Sequence, residues 1–397
     1  MNIVPLSDIC DLQNGFAFKS DDYIEHSNTL NCRMSNIRPD GNFDIEYNPK
    51  YLPDSYTQKY KDFLLKDGDI VIAMTDMAND PKILGVPTIV DTKGYDLLLN
   101  QRVGKLIFHK KDEVDVRFLQ YSLNRRSVRK YYTQFAGGGL QLNVGKKEIL
   151  SVKIPLPPLP QQQKIANILD AADELRQNDK ALIAKYDELT QALFLDMFGD
   201  PVSNPKGWSK VKFADVGKLD RGKSKHRPRN APELLGGEYP LIQTGDIANS
   251  GGYITEYKAT YSEIGLAQSK LWNTGTLCIT IAANIAKTGI LTFDACFPDS
   301  VVGFIPNEKT NNEYTQYWMS FLQKIIEDAA PESAQKNINL AILRDLDFPL
   351  PPVSLQNQFA ERVAIIGEQK AIAQKSLEKS EELFNSLLQK AFKGELV

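Results

Sequence analysis

The chain carries the same unit twice, and this duplication constrains its fold more than any single motif does. Ile154-Pro155-Leu156-Pro157-Pro158-Leu159 reappears as Phe348-Pro349-Leu350-Pro351-Pro352-Val353, at an offset of 194. The same offset pairs Gln141-x-Asn143-Val144 with Gln335-x-Asn337-Ile338, Ile165-Ala166 with Phe359-Ala360, Leu193 with Leu387, and Phe198 with Phe392. Upstream, an offset of 207 pairs Leu6-Ser7-Asp8-Ile9 with Phe213-Ala214-Asp215-Val216, Gly15 with Gly222, and Leu65-x-x-Gly68 with Trp272-x-x-Gly275. Between these blocks, Arg117-Phe118-x-Gln120-Tyr121 faces Glu313-Tyr314-x-Gln316-Tyr317 at an offset of 196. Collinear matches whose offsets drift only through insertions describe two related units, each about half of the 397 residues.

Each unit reads in two parts. The first mixes short apolar strands, such as 69–74 and 87–90, with Gly/Pro/Asn turns and a helix over 118–132. The second is a long helix after a proline-rich stop, with Pro160 suited to a first helical position and Ser354 to an N-cap. Gly199 and Pro201 close the first long helix, and Gly394 closes the second. Apolar residues recur along each helix every 3.5 positions, the period of a coiled-coil seam. In the first they are Ile165, Ile168, Ala172, Leu175, Leu182, Tyr186, Leu189 and Leu193, with Asp179 as the one polar member. In the second they are Phe359, Val363, Ile366, Ala373, Leu377, Phe384, Leu387 and Ala391, interrupted by Lys370 and Ser380. Each helix spans about 38 residues, or about 57 Å, and cannot bury such a stripe alone. Paired antiparallel, the two would make a pseudo-two-fold dumbbell from one polypeptide; the alternative is that each packs only on its own globular part.

Composition sets the outer limits. An apolar fraction of 42 % and a charged fraction of 24 % are those of a folded globular chain, not a disordered or collagen-like one. No apolar run approaches the roughly 18–20 residues of a membrane helix. The start, Met1-Asn2-Ile3-Val4-Pro5, shows no signal-peptide pattern, so a cytoplasmic protein is expected. Cys10, Cys32, Cys278 and Cys296 form no C-x-x-C pair, which suits a reducing compartment. His26, His109 and His226 lie too far apart for a zinc-ligand spacing, so no metal is expected.

The net charge of −3 means that any polyanionic partner has to meet a local patch. The strongest is Arg221-Gly222-Lys223-Ser224-Lys225-His226-Arg227-Pro228-Arg229, with five cations and no acid in nine residues. Gly222 and Pro228 mark it as a loop. A solvated charged loop is the plain reading. Five mutually repelling cations, three of them Arg, are better tolerated beside a polyanion, and the Arg fork fits phosphate or the guanine edge. The matching loop of the first copy, Gln13-Asn14-Gly15-Phe16-Ala17-Phe18-Lys19, has one cation and two aromatics. There the basic character moves to Arg125-Arg126-x-x-Arg129-Lys130-Tyr131-Tyr132 on a helix, where residues 125, 129 and 132 share a face. That face could meet phosphate or simply be solvated. Gly137-Gly138-Gly139 before Gln141, and Gln335 in the second copy, add amides able to pair with adenine. Asn143 and Asn337 read more simply as caps of the turn before each proline-rich stretch. Two copies sharing a frame but not their loops would read different sequences.

Catalytic constellations are missing from the sequence. There is no G-x-G-x-x-G opening a βαβ unit and no G-x-x-x-x-G-K-[ST]. Asn79-Asp80-Pro81-Lys82 falls short of a methyltransferase motif. Pro298-Asp299 with Glu308-Lys309 has the wrong spacing for a nuclease.

Two divergent parts, each starting near a Leu-x-Asp-Ile-like strand and ending in Pro-Leu-Pro-Pro-x-x-x-Gln before a long helix, resemble the DNA-specificity subunit of type I restriction–modification systems. The resemblance covers essentially the whole chain and is most specific at 154–163 and 348–358. It implies an α+β fold: two pseudo-symmetric mixed α/β target recognition domains, 1–155 and 201–349, separated by a long antiparallel two-helix coiled coil formed by spacer helices in 156–200 and 350–397. It further implies that each domain reads half of a split site in double-stranded DNA and that the helices set the spacing. Two methyltransferase subunits would dock around the helices and carry S-adenosylmethionine, and restriction subunits using ATP and Mg could join them. The chain itself would be non-catalytic and free of cofactor. The competing reading is a two-headed protein-interaction scaffold without DNA contact, separated from the first by a salt-dependent affinity for duplex DNA.

Overall fold

The computed structural model describes residues 2–135, 139–282, 285–329 and 338–396. Gly137, Gly138, Gln335 and Asn337 lie outside the described residues. The chain divides into two compact units, one made of Met1–Asn178 with Leu377–Val397 and the other of Asp179–Ser376. Each unit therefore takes one globular part and a stretch of both long helices.

In the first unit the run Ile70–Ala73 is buried on both faces. It sits inside an antiparallel sheet of order Cys10–Asn14, Val103–Phe108, Ile70–Ala73, Pro87–Ile89. A second sheet, with Thr29–Cys32 parallel to Asp96–Leu99 at its centre, packs Leu30, Cys32, Leu97 and Leu99 with Val71, Ala73 and Val103 of the first. In the second unit Leu277–Thr280 is the buried central strand, in a five-stranded sheet of order Gly217–Arg221, Val301–Pro306, Leu277–Thr280, Thr288–Leu291, Tyr253–Ile254. The repeat recurs in detail. Ile3–Pro5 pairs with Lys153–Pro155 in one unit, and Lys210–Lys212 with Asp347–Pro349 in the other. Gly15 packs against the backbone carbonyls of Leu99 and Asn100, and Gly222 against those of Phe297 and Pro298. A Cβ at either glycine would lie about 2.3–2.4 Å from those oxygens. All four cysteines are free and buried, and burial pushes the thiols of Cys10 and Cys32 up to about 12.

The helix expected over 118–132 is two helices, Val116–Leu123 and Arg126–Phe135. Asn124 turns out of the first at φ −80° and ψ 0°, and the Arg125 Nε donates to the Ser122 carbonyl at 2.8 Å. The second copy keeps one helix, Asn312–Ala329. The expected cap at Asn143 is also absent: this residue ends the strand Gln141–Asn143 and accepts from the Thr75 hydroxyl, and Gly145 stands at the N-cap of the following helix.

The long helices are Leu159–Phe198 and Val353–Lys393, 40 and 41 residues, or about 60 Å each. Gly199 and Gly394 follow their last turns at φ +76° and +81°, the left-handed conformation that ends a helix without a Cβ clash. Within the second unit the two run antiparallel. Asp187 pairs with Lys370 at 2.5 Å, Met197 lies against Arg362, and Phe198 meets Phe359 at 5.4 Å between ring centroids. Within the first unit Arg176 lies 4.4 Å from the Phe384 ring, while Ile165, Ala166 and Leu169 share a cluster with Ala391 and Phe392. Along the second helix Phe359, Val363 and Phe384 are buried and Ile366 and Leu377 half-buried.

Along the first helix the seam differs from the expected one. Ile165, Ala172, Asp179 and Leu193 are buried or half-buried, but Ile168 gives way to the buried Leu169, and Leu175, Leu182 and Leu189 are 46 %, 42 % and 50 % exposed. Arg176, Ile183 and Thr190 take the inward positions instead. A 3.5-residue period alternates steps of three and four, so two stripes start from Ile165, and the leucines lie on the outer one.

Each helix is tied to its globular part by the last residue of the proline-rich motif. Gln162 is fully buried; its Nε2 donates to the carbonyls of Pro157 and Glu113 at 2.8 and 2.9 Å, and its Oε1 accepts from the Asp115 N–H at 3.0 Å. Gln356 repeats this with Pro351, Lys309 and Asn311, and adds the Thr310 hydroxyl at 2.8 Å. Truncating either glutamine leaves the buried Pro157 or Pro351 carbonyl and a part-buried peptide N–H unpaired, a cost of about 1–3 kcal/mol. Gln356→Ala is expected to destabilise the chain by that amount, read as a lower urea midpoint at unchanged slope. An unaltered midpoint would remove this tie from the account.

Candidate nucleic-acid interface

The basic loop 221–229 follows the edge strand Gly217–Arg221 and is fixed from beneath. The Gly222 N–H donates to the Val301 carbonyl, and the Gln268 Oε1 accepts from the N–H groups of Lys225 and His226 at 2.7 and 3.1 Å. The Ser269 hydroxyl donates to the Lys223 carbonyl at 2.9 Å. The three arginines converge on one residue. The Arg221 guanidinium donates to the Asp299 carbonyl at 2.9 and 2.6 Å, and Arg229 Nη2 reaches Asp299 Oδ1 at 2.5 Å. Arg227 Nη2 lies 3.6 Å from Oδ2, while its Nη1 donates to the carbonyls of Ser224 and His226. These ion pairs are about half-exposed, so each is worth only about 0.2–1 kcal/mol. A phosphate can displace bonds of that strength.

Among the described residues, Lys223 and Lys225 have no acidic partner, and both are exposed. Beneath them the Ser224 hydroxyl and the Gln268 Nε2 are buried with no hydrogen-bond partner. Lys270 also belongs here: its ammonium sits 3.5 Å over the Trp272 ring, and burial, with help from the fields of Lys218 and Lys223, lowers its pKa against the pull of Asp220. Its distance along the chain from the loop hid it from sequence inspection.

The first unit builds the equivalent place differently. Phe18 is buried and the half-buried Phe16 packs with it: Phe16 lies 4.4 Å from Tyr60 and 5.7 Å from Phe63, and Phe18 5.3 Å from Tyr60. Lys19 is exposed, with its backbone N–H held by Asp22. The helix face of 125, 129 and 132 turns inward rather than to solvent. Tyr132 is fully buried against Gly85, Arg125 stacks 4.6 Å from the Phe392 ring, and Arg129 donates to the Lys82 carbonyl. Burial lowers the pKa of both Arg125 and Arg129, in Arg129 against the opposing field of Asp76. Lys130 and Arg126 are the exposed cations of this segment. With Arg129 and Arg176 they line a cavity of about 780 Å³ that Asp40 and Asp173 also enter. Gln141 is half-exposed on a two-stranded ribbon with Thr75–Met77.

Among the described residues no cluster of three or more His, Cys, Asp or Glu could hold a metal ion, and no helix is long and apolar enough to cross a membrane. The family model described as the type I restriction modification DNA specificity domain matches residues 1–185 and 205–382. The chain is 33 % identical over 190 residues to the type I restriction enzyme MjaVIII specificity subunit of Methanocaldococcus jannaschii, a match spanning 46 % of this chain and 42 % of that protein. It is 22 % identical to the EcoBI specificity subunit of Escherichia coli across 99 % of this chain and 85 % of that one. Among solved structures, the S subunit of the type I restriction–modification system from M. genitalium superposes with a TM-score of 0.59 at 15 % identity, over 98 % of this chain and 96 % of that one. A chain from a structure describing complex assembly and conformational transition of the type I system gives 0.55 at 18 % identity, over 100 % and 98 %. Two family-matched copies in one α+β chain, each built on the same glycine approach and the same buried glutamine, place this protein in the type I restriction–modification DNA specificity family.

Proposed function

We propose that this chain is the sequence-reading subunit of a type I restriction–modification complex, in which each globular part reads one half of a bipartite duplex site. The observation that carries the reading is the contrast at the equivalent glycines: the same backbone approach at Gly15 and Gly222 presents an aromatic-backed loop in one unit and a cationic loop in the other. A shared frame with unlike loops suits two different half-sites. In the second unit Lys223, Lys225, Arg227 and Arg229 contact DNA, with Arg221 bracing Asp299 behind them; in the first, Lys19, Lys130 and Arg126 are the exposed cations that would do so. The chain supplies recognition and no catalysis. S-adenosylmethionine belongs to the methyltransferase subunits, and ATP and Mg to a restriction subunit where one is present. The complex works in the cytoplasm, where the duplex DNA is.

The long helices serve as the docking surface and the spacer. In the second unit Leu182 and Leu189 on one helix and Ile365 and Ile372 on the other, the last two each 61 % exposed, recur seven residues apart on the solvent side. Regularly spaced exposed leucine and isoleucine on a helix pair suits a helical partner, here a methyltransferase subunit.

Lys225→Ala is expected to weaken duplex binding alike for all sequences and to reduce the slope of log affinity against log salt by about 0.9. Arg227→Ala, if that fork reads a guanine, costs about 1–3 kcal/mol and relaxes one half-site position. Titration of labelled duplexes at several salt concentrations checks both, and an absence of salt dependence in the wild-type chain would refute the DNA reading. Leu189→Glu is expected to leave the melting temperature within a degree or two and to abolish co-purification of the methyltransferase subunit; retained co-purification would clear that face. Deleting residues 175–181, one heptad, is expected to shorten the tolerated spacer between half-sites. Methylome sequencing of a host carrying chain and partner reads the spacer directly, and an unchanged spacer would end the ruler role.

A further inference from the structure

We infer that Asp299 is the positioning residue that makes the second unit discriminate between DNA sequences, by holding the forks of Arg227 and Arg229 away from any phosphate that is not in the correct place. The inference rests on the DNA-reading function proposed above. Five cations stand in the loop, but they are not equivalent. Arg229 is bonded to one carboxylate oxygen of Asp299 at 2.5 Å and Arg227 faces the other at 3.6 Å. Arg221 is spent on the Asp299 backbone carbonyl. Lys223 and Lys225 alone project without an acid nearby among the described residues. The loop is held beside the carboxylate: the Gly222 N–H is bonded to the Val301 carbonyl, Gln268 and Ser269 bind the backbone of Lys223, Lys225 and His226, and Gly222 packs on the carbonyls of Phe297 and Pro298, immediately before Asp299.

The planar two-nitrogen edge of guanidinium fits a carboxylate and a phosphate equally well. Asp299 takes one nitrogen of each fork, Nη2 of Arg229 by a hydrogen bond and Nη2 of Arg227 by a looser ion pair at 3.6 Å, so neither edge is free to close on a passing phosphate with both nitrogens, and the carboxylate charge repels that phosphate. A duplex gripped at random meets the two lysines and gains little more. A duplex that places a phosphate or a guanine edge at both forks can exchange them for the carboxylate in one step. An element that disfavours the wrong partner is as much a source of specificity as one that favours the right partner. A mere anchor for the loop would act on every duplex in the same direction.

The test compares the full chain, wild type and Asp299→Asn, on a labelled random-sequence 40-base-pair duplex and on one carrying the methylation-mapped site. Asp299→Asn keeps the side chain's size and the backbone carbonyl that holds Arg221. Asp299→Glu, which keeps the charge, serves as the rescue. The expected result for Asp299→Asn is about tenfold tighter binding of the random duplex at low salt. Its slope against log salt steepens by about one to two, as two further phosphates are neutralised, and the ratio of specific to random affinity falls about tenfold. Asp299→Glu is expected to restore the wild-type ratio. Equal weakening on both duplexes would make Asp299 a structural anchor and overturn the inference, as would no change on either. Failure of the wild-type chain to bind any duplex with salt dependence would overturn the reading beneath it as well.

Discussion

The buried amide at the head of each long helix joins a proline-rich stretch, a helix and a globular core into one piece. Gln162 and Gln356 each use both ends of the side chain: the donor closes on two carbonyls and the acceptor takes a peptide N–H from the capping segment at Asp115 or Asn311. One carbonyl at each joint comes from the proline-rich stretch, Pro157 or Pro351, and the other from the globular part, Glu113 or Lys309, so a single side-chain amide bridges the two. With that joint fixed, the direction of each helix follows from its globular part. The helices can then share an apolar stripe that neither could bury alone.

Much of the architecture was legible from the repeat. The offsets that aligned Gly15 with Gly222 and the two Pro-Leu-Pro-Pro stretches mark positions where backbones touch or where a polar group is buried, which tolerate little change. The seam of the second helix was readable because Val363, Leu377 and Phe384 mark one of the two stripes that start from Phe359, while the other runs through Arg362, Gln369 and Ser376. The first helix carries two stripes, and the more hydrophobic one, with Leu175, Leu182 and Leu189, lies outside. Side-chain hydrophobicity alone does not say which apolar face meets the chain's own partner helix and which is left for another molecule. The inner positions include Arg176, Asp179 and Thr190, which a hydrophobic count passes over.

The interface was legible as charge but not as arrangement. Five cations in nine residues mark a basic loop, yet Asp299, which engages three of them, stands seventy residues away from Arg229 in sequence. The cationic helix of the first unit shows the opposite limit. Arg125, Arg129 and Tyr132 share a face as helical spacing requires, but that face is the inward one, and aromatic rings and carbonyls take up the guanidiniums. Spacing fixes which residues lie together and is silent on which way they look.

The first unit is stitched from Met1–Asn178 and Leu377–Val397, with the whole of the second unit encoded in between. During synthesis at roughly 5–20 residues per second, the early segment waits about 10–40 s for the piece that covers Phe118, Ile165 and Leu169. For that interval Phe118, Ile165 and Leu169 lack Phe384 and Ala391, the partners that cover them in the folded chain. The half whose synthesis begins first is thus the half whose last piece is made last.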